Sequence, residues 1–548
     1  MEGGDRMSSA KITFLGAVGE VTGSNYLLES NGSKVLVDCG LHQGLDADRL
    51  NAEALAFNPA DVDAVILTHA HIDHSGRLPQ LVKQGFKGKI WATDPTIDLV
   101  SVLLYDTARL MAEEAEWKTR KNARKGLPAV KPSYNEKDVD ETLKRFEYIH
   151  YDDRVDIVPG VSARYRDAGH IVGASMVEVW LGAPGKEDPV KVVFSGDMGP
   201  RETVIEKPPT VIEEADYVLI ESTYGDRNHR SLEETRREFR TELEKAVRAG
   251  GKILIPTFVV DRAQRVLYEI LRLQRTKGFP KTPPIYFDSP MGAKATQIYE
   301  KYMNLLSREM QDYARIGESP FAPEGLSYTG GVADSRAINE MDRAIVLAGS
   351  GMCTGGRIVH HLKHNLWSEK CHVFFVGYQA KGTLGRRLVD GEKNVRIAGE
   401  DVMVNARLHT IGGFSAHGDR DDLLGWASHF GRRTAFFVTH GEPRASESLT
   451  EGLRNLGYTA TAPGVGMTFD LTKKDSLQAT SVPRPEPHSV ADRDELLAIL
   501  RDIAADTESL REQISEEDLA ATVRNLQTVK PLLESSRTIL RSARNLRQ

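Results

Sequence analysis

Ala64-Val-Ile-Leu-Thr-His-Ala-His-Ile-Asp-His74 is the stretch from which the rest of the chain is read. Its first four residues form an apolar, branched run of the kind expected of a buried strand, so the cluster that follows falls where a strand ends and a loop begins. His69, His71, Asp73 and His74 place three imidazoles and a carboxylate on one short loop. Ligands of these types at this density suit zinc or a similar divalent ion.

Upstream, Lys11 to Leu15, Asn25 to Glu29 and Lys34 to Asp38 read as short strands separated by glycine turns. Asp38 closes the last of them, where a carboxylate can orient a ligand histidine by accepting its second ring N–H. Downstream, Val161 to Arg166 leads to His170, and Lys191 to Ser195 leads to Asp197. Four strand ends therefore each deliver a polar ligand. Between them, residues 98 to 124 read as a long helix whose far end gathers Lys118, Arg120, Lys121, Arg124 and Lys125 around Trp117, a cluster able to meet a phosphate backbone or to serve as a solvated face.

The chain has 548 residues, 40% hydrophobic and 27% charged, with a formal charge of -7. That length exceeds one hydrophobic core and the composition is globular. The charge excludes a uniformly basic nucleic-acid coat, so any nucleic-acid site is a local groove. Three cysteines without CxxC spacing fit a reducing cytoplasm and buried thiols. The first six residues lack the apolar core of a signal peptide and no run reaches a membrane span, so the expectation is a soluble cytoplasmic protein without membrane contact.

From about Pro208 strands and helices alternate through Val376, the pattern of a parallel α/β unit. Strand character at Val402 to Val404, then Thr410 to His417 and Thr434 to His440, brings the chain back to its first domain. The expected division is 1–208 and 398–480 for the first domain, 209–397 for the inserted one, and 481–548 for a tail. Apolar positions of the tail between Leu496 and Val529 fall on helical faces, so the tail is expected to be helical and to mediate a homodimer or a processing-complex contact.

Asp38, the His69-Ala-His-Ile-Asp-His74 cluster, His170, Asp197, Glu221-Ser-Thr-Tyr-Gly225, Phe414-Ser-Ala-His417 and Val438-Thr-His440 come in fixed order over residues 11 to 470. With these motifs the sequence resembles the metallo-β-lactamase superfamily and, within it, the β-CASP nucleases that process RNA. The branch it resembles includes the endonuclease of mRNA 3′-end formation and its bacterial and archaeal relatives. The resemblance implies an α/β fold: a metallo-β-lactamase αββα sandwich with an inserted parallel α/β β-CASP cap and a helical C-terminal tail.

It further implies two zinc ions, with manganese as the alternative metal. His69, His71 and His170 would hold one, Asp73, His74 and His440 the other, and Asp197 would bridge them. Two adjacent cations can share a hydroxide nucleophile and clamp a phosphate oxygen during in-line displacement, which is what phosphodiester hydrolysis requires. Asp73 and Asp38 count among the catalytic residues on this reading, together with Glu221 and His417, a carboxylate-oriented imidazole acting as general acid. Ser350 and Gly351, in the glycine-rich turn Ala348 to Arg357, with Lys381, Arg386 and Ser415, are the expected contacts to the substrate backbone. The substrate the resemblance implies is single-stranded RNA, to be cut endonucleolytically or trimmed from its 5′ end, a choice the sequence leaves open.

Two departures from the family pattern stand out. Asp261 replaces a glycine usual before the Arg-Ala-Gln segment, and Arg265 replaces an acidic residue after it; His42 stands where a bulky apolar residue is common. The alternatives are a catalytically weak RNA-binding subunit and a DNA nuclease of the same superfamily. His440 argues against the DNA-directed branch, which generally lacks a histidine there, and the filled ligand set argues against the inactive subunit.

Overall fold

In the computed structural model the apolar run becomes the strand Ala64–Ile66, paired in parallel with Ser33–Val37 and Lys89–Ala92 along its edges and buried on both faces, Ala64 and Ile66 in one core and Val65 in another. The structure describes residues 10–44, 47–182, 189–380, 382–473, 477 and 479–481; the expected tail helices and Lys381 lie outside the described residues. Among the described residues no helix is long and apolar enough to cross a membrane.

Two sheets face each other. The first runs, strand by strand, Ala479–Ser481, Thr468–Asp470, Ala10–Phe14, Tyr26–Ser30, Ser33–Val37, Ala64–Ile66, Lys89–Ala92 and Phe146–Tyr148. The second runs Thr459–Thr461, Ala435–Thr439, Tyr217–Glu221, Val190–Phe194, Ser175–Leu181, Val161–Asp167 and Arg154–Val158. Alternate residues of both, including Phe14, Val37, Ile66, Val177, Val192, Leu219 and Phe437, fill the space between them. Phe437 anchors this layer, with ring centres 5.0 Å from Phe14 and 4.8 Å from Phe469. The outward residues of the same strands, Val65, Ile90, Val193 and Val218, join a second core with helix residues such as Leu99, Leu103 and Leu449. Helices thus cover both sheets, which is the αββα sandwich.

The cap is a six-stranded sheet, ordered Leu326–Tyr328, Ile285–Phe287, Ala344–Ala348, Lys252–Pro256, His372–Phe375 and Arg407–Thr410, with every pair parallel. Two strands sit differently from the sequence expectation. Tyr217–Glu221, placed with the cap by its alternation with the helix Leu232–Ala249, pairs in parallel with Val190–Phe194 and Ala435–Thr439 in the sandwich. Arg407–Thr410, placed in the returning part of the first domain, pairs with the cap strand His372–Phe375. The apolar, fully buried Tyr217–Glu221 carries no periodicity that names its sheet, and the polar edge strand Arg407–Thr410 has too few apolar residues to show one.

The two departures at 261 and 265 are one feature. Asp261 has φ 66° and ψ -64°, the centre of a γ-turn closed by the Arg262 amide on the Val260 carbonyl at 2.9 Å, a positive-φ conformation that favours glycine. Its carboxylate accepts from Arg265 Nε at 2.7 and 2.9 Å, and Glu206 takes the other side of the same guanidinium, all three groups being buried. An arginine at 265 therefore requires the acid at 261. His42 contacts Glu20 at 3.2 Å and lies over Gly23, where a Cβ would come within 2.4 Å of the imidazole. Cys39, Cys353 and Cys371 are free and buried, and burial pushes each thiol up to about 12.

Candidate metal centre

The site forms where parallel strands stop together. Val190–Phe194, Tyr217–Glu221 and Ala435–Thr439 share a direction, so Asp197, Glu221 and His440 emerge at one end of the second sheet. Ser33–Val37 and Ala64–Ile66 likewise bring Asp38 beside the His69 to His74 loop. Ligands lie at the carboxyl ends, as in open α/β folds generally.

Two imidazole-rich clusters result beside a third group of Asp197, Glu221 and His417, and within each the candidate ligand atoms all lie within 4.8 Å of one another. In the first, His71 Nδ1 is 3.1 Å from both His69 Nε2 and His170 Nε2, and Asp197 Oδ2 is 3.4 Å from His69 and 3.6 Å from His170. In the second, His74 Nε2 is 3.1 Å from His440 Nε2, which is 3.7 Å from Asp73 Oδ2. Asp197 belongs to both, its Oδ1 lying 3.2 Å from His74 Nε2 and 3.4 Å from His440 Nδ1. That oxygen is buried yet accepts no hydrogen bond. The ring nitrogens of the clusters meet nitrogen to nitrogen, and an anionic oxygen within reach of two imidazoles is aligned with neither. Donor atoms converging on shared space in this way fit divalent cations, and imidazole with carboxylate is the donor set that zinc prefers.

Titration follows the same division. Burial lowers His69 and His170, and with the neighbouring His69 lowers His71 to about 3, so these three rings stay neutral, the form that ligates a metal. Burial would push the Asp197 carboxyl up, but His440, His74 and His69 outweigh it and hold the group well below the ordinary range. Asp73 is held below its range in the same way, by His440 and His74 against burial.

The ligands are held from behind. Asp38 accepts from His74 Nδ1 at 2.7 Å and from the Thr68 amide and hydroxyl, each at 2.8 Å, which fixes the His74 ring. The Ala416 carbonyl accepts from His170 Nδ1 at 2.8 Å. Glu221 accepts from the Met198 amide at 2.7 Å and from His417 Nδ1 at 3.2 Å. His417 stands 4.0 Å from Asp197, and although burial lowers it, Glu221 and then Asp197 raise it to about 9.

The expected substrate contacts are more scattered. Ser415 Oγ accepts from the His417 amide at 3.1 Å, so it sets that loop. Ser350 Oγ accepts from the Thr354 and Gly355 amides at 3.0 and 3.3 Å, closing its own turn, and Gly351 lies under the Phe258 ring. Arg386 pairs with Asp390 at 2.7 Å. Along the helix Asp94–Ala123, Lys121 sits over the exposed Trp117 ring at 5.0 Å. Sequence reasoning missed Thr68, although it stands in the deciding motif, and the Ala416 carbonyl, for which a backbone atom leaves no sequence signal.

Comparison with known proteins agrees with this geometry. Residues 18–98 match the metallo-beta-lactamase superfamily, 263–388 the Beta-Casp domain, and 401–463 the Zn-dependent metallo-hydrolase RNA specificity domain. The chain is 40% identical over 435 residues to Ribonuclease TTHA0252 of Thermus thermophilus, covering 79% of this chain and 93% of that one. It is 31% identical over 458 residues to Transcription termination factor FttA of Methanocaldococcus jannaschii, covering 81% and 69%. The factor of the same name from Pyrococcus horikoshii is 32% identical over 481 residues, covering 83% and 70%. The order of motifs, the capped sandwich, the paired donor clusters and these matches agree: the chain belongs to the β-CASP family of the metallo-β-lactamase superfamily, among its RNA-processing nucleases.

Proposed function

We propose that this metal-dependent hydrolase is a zinc-dependent ribonuclease that hydrolyses phosphodiester bonds of single-stranded RNA. The observation that carries the reading is the paired donor cluster joined by Asp197, with the Glu221–His417 pair on its edge. His69, His71 and His170 would hold one cation, Asp73, His74 and His440 the other, and Asp197 both. Such a pair of cations, when bound, neutralises charge developing on phosphoryl oxygens and makes water a stronger nucleophile at neutral pH.

The chain's own groups supply orientation and a proton. By accepting from Nδ1, Asp38 commits the His74 ring to ligation through Nε2, and the Ala416 carbonyl does the same for His170. Glu221 accepts from Nδ1 of His417, which leaves Nε2–H as the proton to be given to the departing ribose oxygen. Ser415, through the His417 amide, and Met198, through Glu221, keep that pair in place. Arg386 and Lys381 are read as contacts to phosphates away from the cut.

The test is cleavage of matched end-labelled single-stranded RNA and DNA by zinc-loaded protein, beside His440→Ala. The expected result is internal cutting of RNA, about two zinc ions per chain, and loss of both cleavage and one zinc in the variant. Full metal loading with no RNA cleavage would overturn it.

A further inference from the structure

Three loops meet beside His417 without contributing a donor to the clusters. One follows the strand Tyr217–Glu221 and carries Tyr224, whose ring centre is 6.1 Å from that of His417 and 4.4 Å from that of His229. The same loop carries Arg227, whose guanidinium carbon lies 5.1 Å from the Tyr224 ring centre and 5.6 Å from that of Tyr378. Tyr378 comes from the second loop, after the cap strand His372–Phe375. Ring, ring, cation and ring thus form one chain of contacts that runs from the proposed proton donor, whose ring is tilted 59° to that of Tyr224, to a tyrosine that is 44% exposed.

The stack is fixed from behind. The Arg227 amide donates to the Tyr224 carbonyl at 3.3 Å, and the Arg227 carbonyl accepts from the Arg420 amide at 3.1 Å. Gln379, buried next to Tyr378, donates to the carbonyls of Gly351 at 2.9 Å and Gly377 at 3.1 Å. The third loop, after Lys252–Pro256, ends at Arg262, which opens the helix Arg262–Gln274, donates to the Val376 carbonyl and acts electrostatically on the Tyr224 phenol. Tyr378 therefore stands between anchored neighbours yet contributes little to any core. Core packing leaves its position unexplained, whereas a ligand with a flat face explains it.

Every nucleobase offers such a face, and aromatic platforms with an adjacent arginine bind single strands with little regard to sequence. We propose that Tyr378, backed by Arg227 and Tyr224, is a nucleobase-stacking subsite that seats one base of a single-stranded RNA close to the scissile phosphate. The inference rests on the ribonuclease reading above. It assigns the junction between sandwich and cap a direct part in binding, because Arg227 belongs to one and Tyr378 to the other.

The test is a set of single-stranded RNAs in which each nucleotide near the cut is replaced in turn by an abasic ribose, with kcat and KM measured for zinc-loaded protein. Wild type is expected to show one position at which base removal raises KM roughly tenfold while kcat is nearly unchanged. Tyr378→Ala is expected to raise KM for intact RNA by the same factor, to become indifferent to base removal at that one position, and to keep its zinc content. Tyr378→Phe restores the sensitivity. Arg227→Gln, at an exposed side chain, gives the same position-specific pattern more weakly and carries the test should Tyr378→Ala not fold. A loss that is equal for every abasic RNA, or no loss at all, overturns the subsite while leaving the ribonuclease intact. Failure of wild type to cut any RNA instead removes the ribonuclease reading and the subsite with it.

Discussion

Asp197 and Asp288 each follow a parallel strand, the first in the sandwich and the second in the cap, and both are almost fully buried, at 2% and 0% exposure. They meet their charge in opposite ways. Asp288 accepts from Thr329 and Arg357 at 2.5 Å, Ser335 at 2.6 Å and His361 at 2.7 Å, and against the upward push of burial these partners hold it below the usual carboxylate range. Asp197 has imidazoles on every side, yet its Oδ1 accepts no hydrogen bond. A carboxylate supplied with fixed donors by its own chain is structural. One whose oxygen is left without an aligned donor among converging ring nitrogens is arranged for a cation from outside.

Breaking each carboxylate should separate the two roles. Asp197→Ala is expected to lower cleavage by at least about 10²–10³-fold and to reduce bound metal, read by elemental analysis beside the RNA assay; full activity would refute the shared-ligand role. Asp288→Ala is expected to leave metal content unchanged but to cost about 3–5 kcal/mol of stability, because Arg357 loses its counter-charge and Thr329, Ser335 and His361 lose their buried hydrogen-bond acceptor. Denaturant unfolding measures that difference, and a stable variant would show the cap network to be replaceable.

Smaller effects sharpen the contrast. Asp38→Ala is expected to weaken metal affinity by about 10–100-fold without removing a ligand, as followed by chelator competition. The Asp288 network should also carry a pH signature. Its folded pKa is depressed, so its contribution is fully present above the unfolded value of about 4 and is lost as pH falls from there toward the folded value. Asp288→Asn should therefore flatten the acid limb of stability against pH, and an unchanged limb would argue against it. The smallest effect belongs to Arg386→Ala, whose exposed pair with Asp390 is screened by solvent. No change in unfolding midpoint is expected, while the salt dependence of RNA binding should flatten by a slope of about 0.7 if the side chain meets one phosphate.

The sequence by itself determined the chemistry of the site. His69, His71, Asp73 and His74 lie within one loop, and strand ends announce Asp38, His170 and Asp197, because ligand type and strand periodicity are local properties that short stretches record. The same local signals could not assign Tyr217–Glu221 to the sandwich, since a strand buried throughout looks alike in either sheet, nor the short, polar edge strand Arg407–Thr410 to the cap. Nor could they show what holds Asp288, whose donors come from distant segments of the chain. The pairing of Asp261 with Arg265 and Glu206 and the stack of Tyr224, Arg227 and Tyr378 were decided only by tertiary structure. Charge compensation and ring stacking act over a few ångströms of space, and folding alone sets which residues share that space.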